Sequence, residues 1–284
     1  MNIAWNFRRE HLHPLQRSHY VISNGGDQPN VVPSSASVWY FIREVTADGI
    51  RENFNTLHHI AEGASLMSDT SMSRRIIGAA YPRHFNQPIA IAMDENIQRI
   101  GLPQWSEDDQ QFARALQELM GSDEPQGLAT ELSGIIPDLE QPVSGGSDDI
   151  GDVSWNVPTV TLRFPSNVRG LQGHHWSSAM AMATPIAHKG AIAGAKVIAT
   201  TMLDLLQSET LVEDAQAYFD DVQTVDEVYT PFIGRDDPPA IEKNADINSR
   251  KRINSIIFFC CFCKLVHSFR GSMSRNYLYF MLNF

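Results

Sequence analysis

Cysteine is absent from the first 259 residues; all three, Cys260, Cys261 and Cys263, lie in the last 25. A disulfide framework is therefore excluded for the body of the chain. The C-C-x-C spacing has no second ligand cluster beside it, and adding His267 gives a poor match to zinc-finger spacing. No run reaches 18 apolar residues, so no membrane-spanning helix is read from the sequence. The opening MNIAWNFRREHLHP lacks the apolar stretch of a signal peptide. The cytosol is the simplest location. Basic residues are outnumbered, 22 against 33 acidic, for a net charge of −11. That balance argues against a nucleic-acid partner, which calls for a basic face. Only 19% of residues are charged and 43% are hydrophobic, which suits a packed core over disorder. A chain of 284 residues holds one large or two ordinary domains.

What is present concentrates between residues 145 and 189, GGSDDIGDVSWNVPTVTLRFPSNVRGLQGHHWSSAMAMATPIAHK. His174, His175 and His188 share this window with Asp148, Asp149 and Asp152. Imidazole and carboxylate are the donors a borderline divalent cation takes. The run 157–164 between them reads as a buried strand.

Ahead of this window, residues 1–13 read as the end of an amphipathic helix stopped by Pro14, which implies further sequence upstream. The runs 18–23 and 37–43 are β-branched and aromatic, with a turn-rich loop between them. Thr46 is placed to cap a helix over 47–67 with Ile50, Phe54, Leu57, Ala61 and Ala64 on one face. A strand over 70–80 follows. The order helix end, strand, strand, helix, strand is most of a split βαβ module lacking its leading strand and most of its first helix. From Pro82 the pattern changes. A helix over 87–100 ends at Gly101, and Ser106 with Asp109 forms a capping box for the next. Residues 121–146 read as a long loop. A helix over 187–207 packs through Ile192, Ala195, Ile198, Ala199, Met202, Leu205 and Leu206, and a short helix lies near 213–218. The tail 246–284 carries six basic residues and one acid, with an apolar run IIFFCCFC over 256–263. It breaks every earlier pattern and is expected not to join the fold; the apolar run is too short to span a bilayer.

Six ordered blocks carry a resemblance: HYVISNGGDQPNVVP (19–33), VWYFIRE (38–44), IAEGASLM (60–67), GGSDDIGDVSWNVPT (145–159), GHHW (173–176) and IAHKGAIAGAKVIA (186–199). Together they resemble the zinc-dependent peptidase and amidohydrolase family of aminobenzoyl-glutamate utilisation protein B, glutamate carboxypeptidase and aminoacylase, over roughly residues 1–243. The resemblance implies an α/β protein. Residues 1–82 would be the back part of a ferredoxin-like lid that also dimerises. Residues 83–245 would be the C-terminal part of a three-layer αβα catalytic domain. The family's H-x-D motif, bridging aspartate and paired glutamates are not in this sequence. An N-terminally truncated chain, incomplete as an enzyme by itself, is therefore expected.

By the same resemblance His174 is the last zinc ligand of a two-metal site, and Asp149 and Asp152 sit behind it, orienting the ring. Without the resemblance, His174 reads as a loop histidine and the aspartates as turn residues of a glycine-rich loop. Asn30 and Arg43 match lid residues that bind the substrate's free carboxylate, Arg because its fork meets both oxygens. Arg43 otherwise reads as a strand-end arginine facing water. His19 matches loosely a lid histidine that stabilises the oxyanion. His188, at a helix start, suits either substrate contact or helix-end packing. Two functions follow as expectations. One is a piece of a metal-dependent amidohydrolase cleaving the amide bond of an acyl- or aminobenzoyl-amino acid of the glutamate type. The other is a non-catalytic protein that dimerises through its lid sheet.

Overall fold

The computed structural model describes residues 1–132, 134 and 148–241, together with the backbone of 276–283. The architecture is mixed, with helices around one four-stranded antiparallel sheet. Helix α1 (Asn2–Arg8) and a single 3-10 turn lead into β1 (Arg17–Asn24) and β2 (Ser37–Glu44). Helix α2 (Ala47–Met67) and β3 (Ser73–Ala79) follow. The Thr46 side chain accepts from the Gly49 N–H at 3.1 Å, closing the first turn of α2 as its capping position predicts.

Alternation along β2 decides where the first core lies. Tyr40 and Ile42 are buried and pack with Trp5 of α1 and Leu57 and Ala61 of α2. Burial of each large apolar side chain contributes about 1.5–3 kcal/mol. The Trp5 indole N–H donates to Ser18 Oγ at 2.7 Å, so the one polar atom of that ring is satisfied. The buried stripe of α2 is Ala47, Ile50, Leu57 and Ala61, with Asn53 and Ser65 on the same side; Phe54 is half-buried at its margin.

The sheet order is β1-β2-β4-β3, where β4 (Asn276–Asn283) comes from the tail. Of the tail, this last stretch pairs antiparallel with both β2 and β3. Residues 246–275, including the cysteines and the apolar run, lie outside the described residues.

The second half is helical: α3 (Gln87–Ile100), α4 (Glu107–Leu119), the short α5 (Ile150–Ser154) and α6 (Trp176–Met182), then α7 (Pro185–Gln207) and α8 (Glu209–Tyr218). Ser106 and Asp109 form the capping box in both directions, at 3.2 and 2.8 Å. Asp109 also accepts from Lys189 Nζ at 2.5 Å, tying the start of α4 to the start of α7. Met93 and Ile97 of α3 pack with Ala193 and Val197 of α7 over Leu162 and Phe164.

Two expectations fail here. The run 157–164 forms no strand ladder among the described residues. Its alternation does survive, with Leu162 and Phe164 buried. A strand needs a neighbour to pair with, and periodicity reports only one side of that requirement. The packed face of α7 is also different. Ile192, Met202 and Leu206 are exposed, while Ile186, Gly190, Ala193, Gly194, Val197 and Thr201 are buried. The helix is apolar almost all round, so hydrophobicity does not pick the face. Backbone proximity picks it: a Cβ on Gly190 would lie 2.0 Å from the Pro165 carbonyl oxygen and 2.4 Å from Ser166 Cβ.

Gly190→Ala is therefore expected to lose about 1–3 kcal/mol, read from the shift in urea midpoint. Gly63→Ala, in α2 with no atom within 4 Å of the added methyl, is expected to gain about 0.5–1 kcal/mol in the same measurement. Equal responses at the two glycines would refute close approach as the reason for the α7 face.

Candidate functional site

The ligand-rich window does not close into one cluster. Asp148 lies 3.8 Å from the guanidinium of Arg83, a buried side chain. Burial holds the Arg83 pKa below its usual value, Asp148 raises it and Arg163 lowers it further. Asp149 is exposed at the start of α5. Asp152 spends both carboxylate oxygens elsewhere: one accepts the Tyr81 N–H at 3.1 Å, the other the Tyr229 hydroxyl at 2.9 Å. Its partners are thus tyrosines of a structural seam, and His174 is not among them.

His174 is exposed and holds a left-handed backbone, φ +59°. Histidine tolerates that region better than most residues, yet it still costs about 1–2 kcal/mol. His175 begins α6, where Nδ1 accepts from the Ser177 N–H at 3.4 Å and lies 2.9 Å from its hydroxyl. His188 is exposed in the first turn of α7. His19 is exposed on β1, opposite Phe41. Asn30 is exposed in the β1–β2 loop. Arg43 is half-buried on β2, opposite Arg17.

Among the described residues no three His, Cys, Asp or Glu side chains stand close enough to hold a metal ion. The described residues alone therefore do not make a cage for a divalent cation.

Sequence reasoning misses the most connected polar assembly. Tyr81, buried, donates its hydroxyl to Glu227 at 2.8 Å and accepts there from Arg51 of α2 at 2.7 Å. Arg51 also donates to the Thr230 carbonyl at 3.2 Å, and its guanidinium lies 5.2 Å from the Phe232 ring. Burial and the carboxylate of Asp152 push Tyr229 up to about 12; burial first, then Glu227, raises Tyr81 against the opposing pull of Arg51. Both phenols stay protonated and act as fixed donors. No motif announces this assembly, because its hydrogen-bonded partners lie 30 to 179 residues apart.

A second feature is His84. Its backbone N–H donates to Ser154 Oγ at 3.1 Å, and Nε2 lies 3.3 Å from the Tyr218 hydroxyl. Burial lowers its pKa. The folded state therefore binds this proton less readily than the unfolded chain, whose histidine titrates near about 6.5. The contribution is complete above that value and is lost as pH falls through the depressed folded value. Stability is expected to drop between about pH 7 and pH 5, with His84→Gln flattening the slope of urea midpoint against pH. An unchanged slope in that variant would assign the pH response to other groups.

No protein-family profile matches the chain. Among curated proteins it is 28% identical over 255 residues to a component of the p-aminobenzoyl-glutamate hydrolase of Escherichia coli (strain K12), covering 82% of this chain and 53% of the relative. It is 25% identical over 214 residues to the Xaa-Arg dipeptidase of Homo sapiens, covering 74% of this chain and 42% of that protein. For the Xaa-Arg dipeptidase of Mus musculus the identity is 23% over 212 residues, with the same coverage. The chain thus spans about half the length of the curated relatives it matches. It is homologous to that p-aminobenzoyl-glutamate hydrolase component and to the Xaa-Arg dipeptidases, relatives of the amidohydrolase and peptidase kind.

Proposed function

We propose that this chain is part of a metal-dependent amidohydrolase that cleaves the amide bond of an acyl- or aminobenzoyl-amino acid of the glutamate type. The similarity over 255 residues to a hydrolase named for aminobenzoyl-glutamate carries this reading. Residues 1–82 act as lid and 83–245 as the back of the catalytic unit. His174 contributes one ligand to a divalent cation, zinc being among the ions that an imidazole suits. The left-handed strain at that exposed ring supports a role beyond packing. Asp149, at the start of α5, would orient the His174 ring; Asp152 supports the same segment through Tyr81 and Tyr229. Asn30 and Arg43 offer an amide and a guanidinium to the substrate's free carboxylate, His188 offers a further contact, and His19 is placed on the lid for the oxyanion. Without the H-x-D motif, bridging aspartate and paired glutamates of that family, the chain alone is expected to turn over little or no p-aminobenzoyl-glutamate.

The test is zinc binding by isothermal titration. His174→Ala is expected to weaken affinity at least about tenfold. Equal affinity in both proteins would remove His174 from the metal and with it the main support for catalysis.

One observation favours a second reading, a protein that pairs through its lid. Strand β1 is an edge of the sheet, and Val21 and Ile22 on it are 56% and 67% exposed. An open edge with apolar side chains is a template for pairing with another chain. Val21→Lys is expected to shift the protein from dimer to monomer in sedimentation equilibrium. A monomer before the substitution would dispose of this reading and leave the hydrolase proposal untouched.

A further inference from the structure

Beyond Gln223 the chain carries no helix or strand through Ala240. Its run EVYTPFIGRDDPP, residues 227–239, contains three prolines. Proline fixes φ and lacks an N–H, so such a run is stiff and joins no ladder. Asp237 tightens it further: its carboxylate accepts the Gly234 N–H at 2.7 Å, and its own N–H donates to the Gly234 carbonyl at 3.1 Å.

The run is rooted in the helical half. Gln223 donates to the Ser154 carbonyl at 2.6 Å, and the Tyr229 hydroxyl donates to Asp152 at 2.9 Å. It then returns to the sheet, where two arginines hold it by its backbone. Arg51 of α2 donates to the Thr230 carbonyl at 3.2 Å. Arg75 of β3 donates to the carbonyls of Pro238 and Pro239 at 3.0 and 3.2 Å. Between these anchors the Phe232 ring stacks on Tyr81 at 5.2 Å, under the Arg51 guanidinium.

The chain crosses from β3 to α3 through residues 80–86. Among the described residues, no helix of the second half packs broadly on a helix or strand of the first. Two parts that share no large apolar interface move relative to each other by default. A stiff run rooted in one part and held by the other opposes that motion. Both arginines are half-buried. A released guanidinium therefore meets water instead of being stranded as a buried charge, which makes the hold reversible.

We propose that residues 227–239 are a strap that fixes the sheet-bearing part against the helical part, with Arg51 and Arg75 as its release points. Seated, the strap holds one orientation; released, it lets the two parts turn about residues 80–86. If residues 1–82 act as a lid, the strap limits how far that lid opens. The strap itself does not need that role: Arg51, Arg75, Phe232 and the two prolines are assigned to neither metal nor substrate, so its failure would leave the hydrolase reading standing.

The test uses the full chain with its three native cysteines replaced by serine. Met67→Cys at the end of α2 and Leu119→Cys at the end of α4, both exposed positions, carry spin labels for pulsed dipolar distance measurement. One narrow distance distribution is expected. Adding Arg51→Met and Arg75→Met is expected to broaden it at least about twofold. Hydrogen exchange of the α2 and α7 amides is expected to stay unchanged, since both parts keep their own cores. An unchanged width, or a distribution already broad before the arginines are replaced, would overturn the strap. Broadening that comes with lost protection in α2 and α7 would mean general loosening and would overturn it as well. Should the arginine variant fail to fold, a short glycine run inserted between Gly234 and Arg235 slackens the segment while keeping every anchor. The same broadening is expected there, and its absence would likewise overturn the proposal.

Discussion

The contact on which the second half of the molecule depends is the one between Gly151 and Tyr81. A Cβ at 151 would lie 1.9 Å from the Tyr81 carbonyl oxygen, so no side chain fits there. That closeness lets Asp152 reach the Tyr81 N–H and lets Ser154 accept from His84. Asn86, fully buried, continues the seam: its backbone N–H donates to the Thr159 carbonyl at 2.8 Å and its side-chain amide to that of Ala215 at 2.8 Å. Three segments distant in sequence are thereby joined by polar contacts between buried groups. Unsatisfied groups at such depth cost about 1–3 kcal/mol each, so the seam holds as a unit.

The same seam changes the meaning of the aspartates. A G-S-x-D-x-G-D pattern beside histidines suggests carboxylates that orient a metal-bound imidazole. In the structure Asp152 orients two tyrosines and through Tyr81 reaches Arg51 of α2. The chemistry of a carboxylate is the same in both settings; what differs is which donors the fold brings to it. The pair of glycines 151 and 190 plays one physical part twice, each admitting a backbone carbonyl that any side chain would exclude.

Local rules make much of the first half legible. Thr46 and Gly101 mark helix ends that the structure places at Ala47 and Ile100, because a capping oxygen or a chain-reversing glycine acts within one turn. Ser106 and Asp109 are readable for the same reason. What escapes depends on distance along the chain. Composition misleads about the face of α7 because Ile192, Met202 and Leu206 look as burial-prone as Val197, and only the approach of Pro165 separates them. The run 157–164 looks like a strand because alternation records one face and is silent about neighbours. The short helices α5 and α6, five and seven residues long, carry too few turns for a period to show. His174 is singled out by its sequence block, while its exposure is not readable there. The Arg51–Tyr81–Glu227 assembly has no local signature at all.

The position of β4 has a consequence for biosynthesis. Strand β2 leaves the ribosome more than two hundred residues before its inner partner is translated. Among the described strands only β4 pairs with that inner edge, and an edge left open during synthesis is where chaperones bind and nascent chains associate wrongly. Contacts so widely separated in sequence also slow closure once both strands exist. Among the described strands, the last one translated is thus the one that lies inside the sheet.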